Sequence, residues 1–155
     1  MICTDSHWSL PTGILTTHLT GPVGVADVLR WVADLHAALA LVPDGGSFRL
    51  LLNLHGFDTA NLLAHKAMRH VVPMILAHHG MRPAFVDLFD PQREVPITME
   101  RDVRCTAVAN VHHDAAKMNR YEQTIAKPDQ RFFTDLAEAR RWLHARPYGP
   151  YDLAA

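Results

Sequence analysis

Several stretches of the chain are almost continuously apolar and predict buried β-strands. The clearest cover residues 48–54 and 107–111, and residues 14–19 also predict a strand because they are rich in β-branched residues, which pack well in a sheet. Residues 8–10 and 84–89 give weaker signals, and we predict an edge strand and one further strand there. Each apolar stretch is bounded by polar or turn-forming residues, so the pattern indicates separate strands.

Apolar residues spaced three and four positions apart predict helices between these strands. The clearest stripe covers residues 25–42. A second long helix is predicted over about residues 60–79, with Asp58 or Thr59 as its capping residue. Pro73 should kink or split this helix, because proline lacks the backbone N–H that a helix needs and crowds the preceding turn.

The last third of the chain continues the alternation of strands and helices. A helix should follow Asp114 and bury Ala115 and Met118, and a short strand is predicted at residues 131–133. Asp135, with a glutamate three residues later, is typical of the start of a closing helix.

This alternation predicts an α/β fold with a central, mostly parallel or mixed sheet. We expect about five to six strands flanked by about four helices, in a single domain covering residues 1–155. Its core should span residues 14–143. Residues 90–104 show no clean period and predict an irregular insertion, and residues 146–155 should form a tail.

Composition and charge restrict the classes of partner and location. Lys and Arg total 15 against 16 for Asp and Glu, so no strong net field favours nucleic acid or an anionic membrane. No apolar stretch approaches the ~20 residues of a membrane span, and the N-terminus lacks a secretion-signal pattern. The sequence spacing of the two cysteines, Cys3 and Cys105, does not suggest a metal site or a disulfide framework. We therefore predict a soluble, cytoplasmic protein.

The order of these features resembles the STAS superfamily, in particular its SpoIIAA-like branch. The resemblance rests on three stretches. They are residues 19–29 (a strand, a Gly-Pro turn and a helix start), residues 50–56 (the central strand and a glycine), and residues 131–143 (the closing strand and helix). It implies a non-enzymatic regulatory or binding module.

The resemblance also implies a candidate for phosphorylation. Members that antagonise anti-sigma factors carry a phosphorylated Ser or Thr after an Asp, at the start of the helix that follows the central strand. Asp58 and Thr59 match by residue type, which makes Thr59 the candidate. Asn61 stands where the family has glycine, and the Asp-Thr pair comes earlier than in the family, so we carry over the fold rather than the switch.

Polar residues that follow two of the predicted strands suggest a binding site. In an open parallel sheet, ligands bind in the crevice beyond the carboxyl ends of the strands. If strands 48–54 and 107–111 are neighbours, their polar ends converge. The candidate ligand-binding residues are Asn53, His55, Asp58, Thr59, His112, His113 and Asp114. The alternative is that the aspartates and Thr59 only cap helices and the histidines are solvated.

The same residues raise metal-dependent hydrolysis as an alternative function. His55, His112, His113 and Asp114 are residue types that bind zinc, but the sequence has no H-E-x-x-H motif and no cysteine pair. It also lacks a G-x-S-x-G elbow and a Gly-rich phosphate loop. We therefore assign no catalytic residue, no metal and no cofactor.

The sequence thus predicts a regulatory or binding module that acts through a protein partner or a small ligand. Tyr148 and Tyr151 in the tail are compatible with a homodimer contact and equally with burial in the monomer.

Overall fold

A computed structural model describes residues 1–84 and 95–146 of the chain. The described strands are β1 (Ser6–Ser9), β2 (Ile14–His18), β3 (Gly21–Val23), β4 (Ser47–Asn53), β5 (Phe57–Thr59), β6 (Arg104–Val111) and β7 (Gln130–Phe133). The described helices are α1 (Val25–Leu39), α2 (Leu62–Met68), α3 (Val71–Ala77), α4 (Ala115–Thr124) and α5 (Leu136–His144). A 3-10 turn lies at Glu100–Asp102.

The described strands form a five-stranded mixed sheet in the order β1-β2-β4-β6-β7 and a two-stranded sheet of β3 and β5. Strand β1 is antiparallel to β2, and the other pairs are parallel. This confirms the predicted α/β fold. Every residue of β4 is buried, as expected of a central strand that is covered on both faces.

The helices divide the core between the two faces of the sheet. Leu50 and Leu52 of β4 pack with α1 and α3 in one cluster, which includes the fully buried Trp31. Leu51 lies on the opposite face, where it packs with Leu143 of α5. Successive side chains of a strand point to opposite faces, so the apolar run of β4 serves both clusters.

The predicted split of the second helix is confirmed. It forms α2 and α3, separated at Arg69 and His70, and Pro73 is the third residue of α3. A proline in the first turn is tolerated because that N–H has no acceptor within the helix.

Two predictions about helix starts are wrong. Asp58 and Thr59 do not cap α2, because they lie in β5 and pair with Pro22 and Val23 of β3. The cap is Asn61, whose Oδ1 accepts the Ala64 N–H at 2.9 Å. The buried side chain of Phe57 holds this segment in the core in an extended form, so the helix begins later than the polar residues suggest.

The remaining predictions differ in outcome. Ala115 is exposed rather than buried, because it lies in the first turn of α4 on the side away from the core, whereas Met118 is buried. Residues 95–104 contain the 3-10 turn and the first residue of β6. Residues 85–94 and 147–155, including most of strand 84–89 and both tail tyrosines, lie outside the described residues.

Gly21 lies close to the backbone of Met1, with no room for a side chain between them. Gly21→Ala should therefore lower the free energy of unfolding by about 1 kcal/mol. Its φ is +90°, and a Cβ would lie 2.3 Å from the Met1 carbonyl oxygen. Gly24→Ala is the matched control, since φ is −98° and the nearest atom to a Cβ is Asp27 Oδ2 at 3.7 Å. Urea denaturation should separate the two variants, and equal losses would contradict this account.

Candidate functional site

The carboxyl ends of β4 and β6 lie side by side, as the sequence predicts. Asn53 pairs with Val111 in parallel register. One residue further on, the Leu54 N–H donates to the Val111 carbonyl oxygen at 2.8 Å. The polar residues that follow both strands therefore emerge at the same edge of the sheet.

Strand geometry divides these residues between the two faces of the sheet. In register, Leu52 of β4 lies beside Asn110 of β6 and Phe132 of β7, and these side chains share the face covered by α1 and α3. Asn53, one position later, shares the opposite face with Val111. The predicted single crevice is therefore two separate cavities.

The first cavity lies on the face of Asn53 and has a volume of about 520 Å³. Cys3, His18, Asn53, His55 and Asp135 are among the residues that line it. The Asn53 amide is oriented by the His55 N–H, which donates to Oδ1 at 3.0 Å, so Nδ2 donates to His18 Nδ1 at 2.9 Å. Burial lowers the pKa of His18.

The second cavity, here called the apolar cavity, lies on the face of Asn110 and has a volume of about 90 Å³. It is half-enclosed by α2, α3 and α4. Its apolar lining comprises Trp31, Leu52, Leu54, Met68, Val72, Pro73, Val111, Met118 and Tyr121. Its polar lining comprises His65, Arg69, Asn110, His112 and Lys117.

Three imidazole rings run across the sheet edge between the two cavities. The ring centroids of His55 and His113 are 5.8 Å apart with edge-to-face packing, and those of His113 and His112 are 4.2 Å apart and stacked. His55 lines the first cavity and His112 lines the apolar cavity. The structure therefore brings together the histidines that the sequence singled out.

Backbone hydrogen bonds fix the protonation of two of these rings. The Gly56 N–H donates to His113 Nδ1 at 2.9 Å, and the Asp114 N–H donates to His112 Nδ1 at 3.0 Å. A nitrogen that accepts a hydrogen bond carries no proton, so each neutral ring has its proton on Nε2. Burial, followed by the nearby His113 and Lys117, lowers the pKa of His112 to about 4, so this ring is neutral at pH 7.

This arrangement does not suit the two rings as metal ligands. An imidazole that binds a metal through Nε2 carries its remaining proton on Nδ1, where it normally donates to a second group. Here Nδ1 of both His112 and His113 accepts instead. Across residues 1–84 and 95–146, no three His, Cys, Asp or Glu side chains are placed to hold a metal ion.

The other predicted site residues have structural positions outside the two cavities. Asp114 caps α4, since its Oδ1 accepts the Lys117 N–H at 3.0 Å, and this hydrogen bond lowers the pKa of the carboxyl group. Asp58 and Thr59 lie in β5, which pairs with β3, and neither lines the apolar cavity or the first cavity.

Asn110 and Met118 were missed by sequence reasoning. Asn110 is 6% exposed, and its Nδ2 donates to the Arg131 carbonyl oxygen at 3.2 Å, while its Oδ1 accepts no hydrogen bond within the described residues. The available signal was a polar residue inside an otherwise apolar strand. The sequence predicts Met118 only as a buried residue of its helix, and the tertiary structure shows that it lines the cavity.

Cys105 offers no nucleophile. It is 2% exposed, and burial raises the pKa of its thiol far above the ordinary value, so the reactive thiolate does not form near neutral pH.

Two further findings concern location and relatedness. None of the helices in the described part of the chain combines the length and the apolar character needed to cross a bilayer. Comparison of the chain with protein-family models, with curated proteins and with solved structures gives no match.

Proposed function

We propose that this protein is a non-enzymatic binding module whose ligand is a small molecule held in the apolar cavity. The observation that carries the proposal is the buried Oδ1 of Asn110, which accepts no hydrogen bond from residues 1–84 or 95–146 although its residue lines the cavity. An unpaired buried acceptor costs about 1–3 kcal/mol, and a ligand that supplies a donor would remove that cost.

The position of the cavity supports the same proposal. It lies beyond the carboxyl ends of two parallel strands, β4 and β6, which is where ligands commonly bind in open α/β sheets. Most of its lining is apolar with a few convergent polar groups, as is usual for small-molecule sites. A small ligand is therefore favoured over a protein partner, the other mode that the sequence predicts.

The STAS-like resemblance belongs to the same proposal. A regulatory module of that kind would change its interactions when its ligand binds, without performing a reaction. Thr59 remains a phosphorylation candidate of that proposal, and it is half-buried at the end of β5.

Filling the cavity should abolish ligand binding. Met118→Trp places a larger ring in the apolar cavity, and fragments from a library of small carboxylates, amides and amines should bind at least about tenfold more weakly, as measured by ligand-detected NMR. Asn119→Trp adds the same ring to the exposed side of α4 and should leave binding unchanged.

Far-UV circular dichroism would show whether Met118→Trp folds. If it does not fold, Met118→Phe is a smaller change that tests the same cavity. Fragments that bind wild type, Met118→Trp and Met118→Phe equally well would show that the site lies elsewhere and would overturn the proposal.

A further inference from the structure

We propose that the ligand of the apolar cavity is a small aromatic monoanion that carries a hydrogen-bond donor on its ring, such as a hydroxylated aryl carboxylate. The inference rests on the proposed function and specifies its ligand. It follows from three features of the cavity: its charge, its pair of hydrogen-bonding groups and its size.

The charged groups of the cavity favour an anion. Lys117 and Arg69 line it, and none of its described lining residues is acidic. The acidic side chains of α4 and its cap are engaged elsewhere. Glu122 receives Arg131 Nε at 2.7 Å and Nη2 at 2.6 Å, and Asp114 accepts the Lys117 N–H. Among the described residues, a carboxylate in the cavity would therefore meet more positive than negative charge.

The imidazole of His112 adds a neutral donor beside these cations. Its Nδ1 is occupied by the Asp114 N–H, so its Nε2–H remains as the hydrogen-bonding group of the ring. An N–H donor matches a carboxylate oxygen and offers nothing to an ammonium group.

Asn110 requires the opposite chemistry. Its Nδ2 donates to the Arg131 carbonyl oxygen, and its Oδ1 accepts no hydrogen bond within the described residues, so a ligand with a hydrogen-bond donor would complement it. Asn110 and His112 are two positions apart along β6 and its end, so their Cα atoms are roughly 6.6 Å apart at 3.3 Å per residue. A ring with a hydroxyl at one end and a carboxylate at the other is long enough to reach from one residue to the other.

The volume disfavours larger ligands. Drug-sized molecules occupy pockets of about 300–1,000 Å³, whereas the apolar cavity measures about 90 Å³ and is open on one side. This volume favours a ligand of about one ring over a nucleotide or a folded cofactor.

Four matched probes test this assignment by NMR titration of the full-length protein. We expect 4-hydroxyphenylacetate to bind about tenfold or more tightly than 4-hydroxyphenylacetamide, which has the same shape but no charge, and more tightly still than tyramine, which is cationic. Phenylacetate, which lacks the hydroxyl, should bind several-fold more weakly than 4-hydroxyphenylacetate, because Oδ1 of Asn110 stays unpaired.

The chain provides a matched pair of cations for the charge test. Lys117 Nζ and Arg120 Cζ lie 5.8 Å and 5.7 Å from the Tyr121 ring centroid, but only Lys117 lines the cavity. Lys117→Gln should reduce the preference for the carboxylate over the amide about fivefold or more, and Lys117→Arg should keep it. Arg120→Gln should leave it unchanged.

The outcomes separate the inference from the proposed function. If the amide or tyramine binds the cavity as tightly as the carboxylate, the cavity is a small-molecule site but the anion assignment is wrong. If no probe shifts the amide resonances of Val72 and Met118, both proposals are overturned.

Discussion

Replacing Arg49 by methionine should lower the free energy of unfolding by about 3 kcal/mol, as measured by urea denaturation. The Arg49 side chain is 4% exposed within β4. It donates to the carbonyl oxygens of Leu143 at 2.5 Å and Arg146 at 3.0 Å, and to that of Thr12. Methionine fills a similar volume without donating, so these oxygens would lose the hydrogen bonds from Arg49, while Leu143 keeps the Arg146 N–H at 3.0 Å.

Arg49 also contacts the carboxyl end of α5, where the carbonyl groups carry partial negative charge. Arg30→Met is the control. Arg30 pairs with Asp27 at 3.3 Å on the surface of α1, and its loss should cost less than about 0.5 kcal/mol. Equal losses in the two variants would show that the carbonyl contacts of Arg49 do not contribute.

The sequence shows Arg49 only as one basic residue inside an apolar strand. The surrounding pattern correctly predicts that the strand is central and buried. It carries no information on the acceptors, because Leu143 and Arg146 lie more than 90 positions away along the chain. A contact of that kind depends on the position and angle at which α5 packs across the sheet. The hydrophobic periodicity of the sequence carries no information on that packing.

The same limit explains the misassigned start of α2. Periodicity identifies long elements such as α1 and β4, but the three residues of β5 contain too few positions to show a period. Strand β5 exists because Phe57 is buried and the segment pairs with β3. Local capping preferences favoured Asp58 and Thr59, and tertiary pairing overrode them.

The sequence predicts at which edge of the sheet the candidate site lies, but it does not predict that the site is divided into two cavities. Apolar strands followed by polar residues predicted that the ends of β4 and β6 meet, and His55, His112 and His113 do lie together there. Which face holds the apolar cavity depends on where α2 and α4 pack, and that is a property of the tertiary structure. Period-two alternation then places Asn110, rather than Asn53, in that cavity.

Lowering the pH from 7.5 to 5 should destabilise the fold by more than about 1 kcal/mol, and most of this loss should come from His112. Burial, followed by His113 and Lys117, lowers the pKa of His112 to about 4, and burial also lowers the pKa values of His18 and His79. In the unfolded chain these rings take up protons near pH 6.5. The unfolded state therefore binds more protons below that pH, and stability falls as the pH falls.

The direction and window of this effect distinguish it from ordinary acid denaturation. Well above pH 6.5 the three rings are neutral in both states and contribute no slope, and the His112 contribution ends near pH 4, where the folded ring also becomes protonated. His112→Gln should reduce the loss between pH 7.5 and 5 by about 1 kcal/mol, a value discounted for partial exposure of the ring. His144→Gln, at an exposed position of α5, should match wild type. A free energy of unfolding that stays level or rises between pH 7.5 and 5 would contradict the buried, neutral state of these rings.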